Sequence, residues 1–240
     1  MRRTSPATIA TGVVRVALAF ASALLAAGVA LAAPDRVEIR YAVSYGEARV
    51  FEESDLFVRD GDRYSIVSEA KPVGIAALFL SDIRRESRGR VTRGGLQPER
   101  FVDDRGRRGQ RIAEFDWAAQ RITLRHDGVV ETRELAVGTL DQSAFHFNFM
   151  FAPPVEAGLA VTLSDGRRVK DYRYRFVGRE KLTTSVGEID TLHFAREIAA
   201  GDARTFDVWL APAHHHLPVR IRYVEGNDVF DSRVTGIEIR

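Results

Sequence analysis

The chain has 240 residues, with 35 Lys and Arg against 33 Asp and Glu, a formal charge of +2, 45% hydrophobic residues and no cysteine. This composition excludes collagenous, low-complexity and disulfide-stapled chains, and it rules out a cysteine nucleophile or a lipid anchor on an N-terminal cysteine. The sign of the charge depends on where it sits. Arg2, Arg3 and Arg15 all precede residue 33, and the remaining 208 residues hold 32 bases against 33 acids, a net of −1.

The first element is an address. A polar, basic start is followed from Val16 to Ala33 by an uncharged, alanine-rich run, and Ala30-Leu31-Ala32 sets small residues where a signal peptidase reads them. Residues 1–32 are therefore expected to be a cleavable signal peptide, delivering residues 33–240 to a bacterial periplasm as a single domain. The alternative is an uncleaved inner-membrane anchor, since about 18 apolar residues lie at the lower limit for spanning a bilayer.

From Arg36 onward the pattern is alternation. Val37-Glu38-Ile39-Arg40-Tyr41-Ala42-Val43, Tyr64-Ser65-Ile66-Val67, Arg121-Ile122-Thr123-Leu124, Tyr172-Arg173-Tyr174-Arg175-Phe176, Val219-Arg220-Ile221-Arg222-Tyr223 and Val234-Thr235-Gly236-Ile237-Glu238-Ile239 each put apolar side chains on one face and polar ones on the other. Turn signals such as Asp60-Gly61-Asp62, Gly94-Gly95, Asp127-Gly128 and Glu225-Gly226-Asn227-Asp228 separate them. The predicted fold is mainly β. It is an antiparallel meander of about 12 to 16 strands curled into a barrel, half-barrel or sandwich, with at most one short helix after the signal helix.

Within this meander, residues 84–111 stand apart, with ten arginines against four acids, a net of +6 on a remainder of −7. Arginine presents a planar fork matched to phosphate and carboxylate oxygens. Arg84, Arg85, Arg88, Arg105, Arg107 and Arg108 are accordingly the candidate anion-binding residues. The bland alternative is a solvated hairpin whose arginine stems cover apolar surface. Nucleic acid is the poorer partner for an exported chain.

Thr139 to Phe151 reads two ways. As a strand it places Phe145, Phe147, Phe149 and Phe151 on one face, and as a short helix it is capped by Asp141; Pro153-Pro154 ends it in either case. These rings are either core or the lining of an apolar concavity, and with Trp117 and Trp209 they are the candidate ligand-binding residues. Gly89, Gly95 and Gly187 read as turn or bulge positions that need positive φ. His214-His215-His216, taken as extended chain, would alternate sides, so the cluster reads as a polar turn between Pro212 and Pro218 and not as a metal site. Signature motifs of serine hydrolases, zinc proteases and nucleotide-binding loops are absent, so no catalytic residue, metal or cofactor is assigned.

Several words along the chain, in order, carry a resemblance. They are Tyr41-x-Val43-x-Tyr45-Gly46; Ser87-Arg88-Gly89 with Gly95-Leu96-Gln97-Pro98-x-x-Phe101; Phe115-Asp116-Trp117; Leu140-Asp141-Gln142-Ser143; Val177-Gly178-Arg179-Glu180-x-Leu182-x-Thr184-x-x-Gly187; and Trp209-Leu210-Ala211-Pro212 leading to Leu217-Pro218-Val219-Arg220. Together they resemble the bacterial exported proteins of domain-of-unknown-function family 3108. The resemblance implies a mainly β, envelope-associated protein with no established activity or catalytic residues. The function expected from the residues is a non-enzymatic binding or envelope-maintenance factor for a lipid or other amphipathic anionic ligand, touching the membrane only peripherally unless the signal stays attached. The alternatives are an interaction module for an envelope protein partner, or a hydrolase with an unrecognised site.

Overall fold

A computed structural model describes residues 33–198 and 204–240. The signal peptide expected over residues 1–32 lies outside the described residues. The alternating segments become strands. The first run of hairpins is β1 (Arg36–Tyr45), β2 (Ala48–Asp60), β3 (Arg63–Pro72), β4 (Ile83–Thr92), β5 (Gly95–Asp104), β6 (Gln110–Asp116), β7 (Arg121–His126) and β8 (Val129–Glu134). A two-residue strand β9 (Leu140–Asp141) and the helix α1 (Gln142–Asn148) intervene. The second run is β10 (Leu159–Ser164), β11 (Val169–Thr184), β12 (Gly187–Arg196), β13 (Arg204–Ala211), β14 (Leu217–Glu225) and β15 (Asp228–Ile239).

All fifteen strands among the described residues share one sheet in the order β8-β7-β6-β5-β4-β3-β2-β1-β15-β14-β13-β12-β11-β10-β9. Every neighbouring pair is antiparallel except β9 with β10. The order is that of a closed meander cut between β8 and β9, with the first and last strands zipped together in its middle, Val37 opposite Ile239 and Ile39 opposite Ile237. Hairpin chemistry follows the turn residues. Asp127 and Gly128 both take positive φ, at 50° and 75°, as a two-residue turn between His126 and Val129 requires.

The sheet curls around α1. Asp141 caps this helix, its Oδ1 accepting from the amides of Ser143 and Ala144 at 2.9 and 2.8 Å. The cap selects the helical reading of the Phe segment over the strand reading. From α1, Phe147 packs on Phe57 of β2 at 5.5 Å, and Phe145 packs on Tyr174 of β11 at 5.7 Å. β2 and β11 are far apart in the strand order, so one short helix can touch both only because the sheet bends round it. Two interlocked cores result. One gathers α1 with the inward residues of β1 to β3 and β11 to β14, including Val37, Ile39, Phe57, Phe194 and Leu210. The other holds Phe101, Ala113, Phe115, Ile122, Leu124 and Leu135.

Gly89 departs from the reading of its backbone. It sits at a register shift between β4 and β5, yet its φ is not positive. What it supplies is the lack of a side chain, because a Cβ there would lie 2.1 Å from the Gln97 carbonyl oxygen. Gly95 and Gly187 do adopt positive φ. The three histidines are also not extended: Pro212–His214 form a 3₁₀ turn, and His215 and His216 follow with φ of 53° and 59°. Among the described residues, no helix is long and apolar enough to cross a membrane.

Candidate functional site

The period of two in β4 divides the arginine segment between opposite faces. Arg85 and Ser87 point inward, while Arg84, Glu86, Arg88 and Arg90 point out. On the inner face, Arg85 is drawn to Glu53 at 3.2 Å and to Asp103 at 3.4 Å, and Arg105 reaches the same Asp103 at 2.6 Å. Asp55, Ser68, Arg85 and Asp103 lie in register across β2 to β5, giving the interior a polar row. Burial, reinforced by the Glu53 charge, pushes the Asp55 carboxyl up to about 8.

Nearby, the Ser87 hydroxyl donates to Asp141 Oδ2 at 2.6 Å and meets the Tyr64 hydroxyl at 3.1 Å. Burial pushes Asp141 up to about 7 against the opposing pull of its three hydrogen bonds. His146 is pushed down to about 4, first by burial and then by the Arg85 charge. Ser87 is 1% exposed, and its hydroxyl is committed inside the fold.

The outer face is different. Arg88 and Arg100 stand directly opposite each other across β4 and β5. Two like charges in register repel, and an acid beside them would ordinarily compensate. Three acids nearby, among them Glu114 directly across from Arg100, are engaged by other arginines. Glu99 takes Arg63 and Arg90, each at 3.1 Å, Glu114 takes Arg125 at 3.3 Å, and Glu86 takes Arg84 at 2.8 Å. Among the described residues neither Arg88 nor Arg100 has an ion-pair partner, and Arg100 Nε is buried without a hydrogen bond.

Both guanidinium groups line two adjoining concavities. One of about 280 Å³ is bounded by Ser65, Val67, Glu86 and Val102, and one of about 610 Å³ by Arg63, Glu99, Glu114, Asp116 and Thr123. The two arginines thus present planar guanidinium forks, of the kind that match carboxylate and phosphate oxygens, on a concave surface that Glu114 and Asp116 also line.

The other expected site residues take different places. Arg84 is spent on Glu69 and Glu86, and Arg85 and Arg105 on the interior acids. Arg107 and Arg108 are exposed on a 3₁₀ turn after β5. Phe145, Phe147 and Phe149 are 2%, 1% and 4% exposed, and Phe151 packs against the same core. They fill the interior instead of lining an open concavity, because the helix turns its rings towards Phe57, Tyr174 and one another. Trp117 stacks on Phe115 and donates to the Pro98 carbonyl at 2.6 Å.

Trp209 lies flat between His193, at 4.1 Å, and the Arg220 guanidinium, at 4.5 Å, with its Nε1 donating to Glu180. His193 contacts Glu180 and Asp207, and Arg220 pairs bidentately with Asp231, so this patch is closed on itself. Arg100, the second half of the outer pair, is absent from the set of anion-binding candidates read from sequence. Its facing with Arg88 depends on the one-residue register shift at Gly89, which spacing alone does not disclose. Among the described residues, no three His, Asp or Glu converge as a metal site.

This geometry defines an open, helix-filled antiparallel half-barrel with an arginine-lined outer cleft. The model of the family described as "Protein of unknown function (DUF3108)" matches residues 40–231, and the chain belongs to that family. Among solved structures it resembles the crystal structure of a beta-barrel-like protein of domain of unknown function DUF1849 from Brucella abortus. That match has a TM-score of 0.53 and 9% identity over 86% of this chain and 98% of that one, a likeness of fold. No curated protein matches the sequence.

Proposed function

We propose that the protein is an exported, non-enzymatic binding factor of the cell envelope that holds an anionic ligand, a phosphate- or carboxylate-bearing envelope molecule, in the outer cleft between Arg88 and Arg100. The observation that carries this reading is the in-register arginine pair that makes no ion pair among the described residues, although Glu114 stands across from Arg100 and Asp116 lines the same concavity, while Glu86, Glu99 and Glu114 each pair with another arginine. Evolution of a folded surface towards solubility and stability favours charge alternation across strands, so an uncompensated like-charged pair in a concavity is better accounted for by a ligand than by packing. The apolar part of such a ligand lies outside the curled sheet, since α1 packs against its inner face. Delivery to the periplasm through the leader at residues 1–32 belongs to the same proposal, and it predicts a mature chain beginning at Ala33.

The test is isothermal titration of inorganic pyrophosphate into the processed protein, compared with a double variant Arg88→Ser and Arg100→Ser. Salt-sensitive binding that weakens at least tenfold in the variant supports the reading. Absence of heat at millimolar pyrophosphate, or equal affinity in the variant, overturns it.

A further inference from the structure

The β3–β4 connection carries a second feature. From Val73 to Ser81 the chain has no charged residue. Gly74–Leu78 form a 3₁₀ turn that buries none of its residues. Ile75, Leu78 and Phe79 are 78%, 78% and 79% exposed, and Leu80 is 39% exposed. Single exposed apolar residues are ordinary, but four within six positions on one protruding loop form a contiguous patch with no intramolecular cover. The loop's backbone is partly satisfied from within, since the Phe79 and Leu80 amides both donate to the Ala76 carbonyl. Hydrogen bonds closed inside a turn are what a segment needs in order to leave water.

The neighbouring loop supplies charge. The 3₁₀ turn Gly106–Arg108, between β5 and β6, abuts the first loop closely enough that a Cβ on Gly106 would come within 3.1 Å of the Ser81 Cβ. Arg107 and Arg108 on this turn are exposed and have no acidic partner among the described residues. Of the acids beside them, Asp103 holds Arg85 and Arg105 and Asp104 accepts from Gln110 and the Gly106 amide, which leaves the exposed Asp82 as one acid against two arginines. An uncharged aliphatic and aromatic tip beside unpaired arginines matches the two layers of an anionic bilayer surface, the acyl boundary and the phosphates above it.

We propose that residues 73–81 dock the protein on an anionic lipid surface, Ile75, Leu78 and Phe79 entering the interface and Arg107 and Arg108 contacting lipid phosphates. Neither signal alone gives durable attachment, so the two act together and the contact is reversible and salt-sensitive. The docking loops are separate from the Arg88–Arg100 cleft, which lies further along β4 on the outer face, and the inference does not rest on that cleft binding anything.

The experiment is flotation of the processed protein with vesicles of equimolar phosphatidylglycerol and phosphatidylcholine, and with vesicles of phosphatidylcholine alone. Binding to the anionic vesicles is expected, falling with salt. The pair Leu78→Ser and Phe79→Ser should lower partitioning at least about tenfold while leaving the thermal midpoint unchanged, because both side chains are already exposed. The pair Arg107→Ser and Arg108→Ser should lower it about fivefold per arginine on anionic vesicles. A tryptophan introduced as Phe79→Trp should shift to the blue and be quenched by brominated acyl chains. No binding to anionic vesicles, or binding indifferent to the loop variants, overturns the proposal. So does vesicle-independent self-association that L78S with F79S abolishes, since the patch would then be an interface between two copies. Pyrophosphate titration of the same loop variants keeps the readings apart, because failure of the cleft leaves vesicle binding intact and failure of docking leaves the titration intact.

Discussion

Asp141 is the residue on which interior chemistry and stability meet most directly. It caps α1 with one oxygen and holds the Ser87 hydroxyl with the other, and it is fully buried. Burial lifts its carboxyl from an ordinary 3.8 to about 7. Below pH 4 the group is protonated in both folded and unfolded chains and does not alter their balance. Between about pH 4 and about pH 7 the unfolded chain releases the proton and the folded one keeps it, so stability falls as pH rises, and above about pH 7 the loss is complete.

A separation of about three pH units corresponds to a loss on the order of 4 kcal/mol. Asp141→Asn preserves the two amide hydrogen bonds through its carbonyl and offers an amide donor to Ser87, but it has no proton to release. The difference in unfolding free energy between D141N and the parent should therefore move in favour of D141N across this window, by an amount approaching that figure. Urea unfolding of both proteins followed by tryptophan fluorescence, at about pH 5 and about pH 8, should capture about 2.5 kcal/mol of it, since part of the loss is already complete at pH 5, and other titrating groups such as Asp55 cancel in the difference. A difference constant within about 0.5 kcal/mol across the range would refute the reasoning.

Two further outcomes follow from the arginine strands. Gly89→Ala sets a methyl group against the Gln97 carbonyl and the Pro98 backbone, neither of which can move without breaking the β4–β5 ladder. It should cost about 3 kcal/mol or more, read as a lowered urea midpoint, and an unchanged midpoint would show that the bulge relaxes freely. Arg88→Glu replaces a repelling cross-strand pair with an attracting one opposite Arg100. It should raise stability by about 0.5 kcal/mol while abolishing pyrophosphate binding, whereas a loss of more than about 1 kcal/mol would mean that Arg88 is held by packing.

The sequence made the strands legible wherever one face is buried. Val37 to Val43 and Arg121 to Leu124 alternate so cleanly that no other element fits. Around Phe145 to Phe151 periodicity fails, because rings at every second position are compatible with a strand and also with a turn of helix whose Phe145 and Phe149 meet four residues apart. The cap at Asp141 decides between them, and it works through amide geometry that only the fold displays. The arginine segment was visible as a block of charge, but its partition was not. Arg84 and Arg85 are neutralised by Glu69, Glu53 and Asp103 from three other strands, so the surplus that remains at Arg88, Arg93, Arg100, Arg107, Arg108 and Arg111 is set by pairing at a distance. The loop from Val73 to Ser81 is composed like buried material, and nothing in an uncharged apolar run announces that it stands in solvent.

The meeting of β1 with β15 also governs when the sheet can come into being. Residues 36–134 and 159–239 are each a ladder of neighbours in sequence, able to grow strand by strand as the chain emerges. Their joining waits for partners such as Val37 and Ile239, the two ends of the described chain, so the slowest and most costly loop closure comes last. Until then β1 and the β14 edge are both open to foreign strands, and α1 lacks the curved wall that covers its rings. β15 thus acts as a keystone: the protein holds two half-built sheets until its final strand arrives.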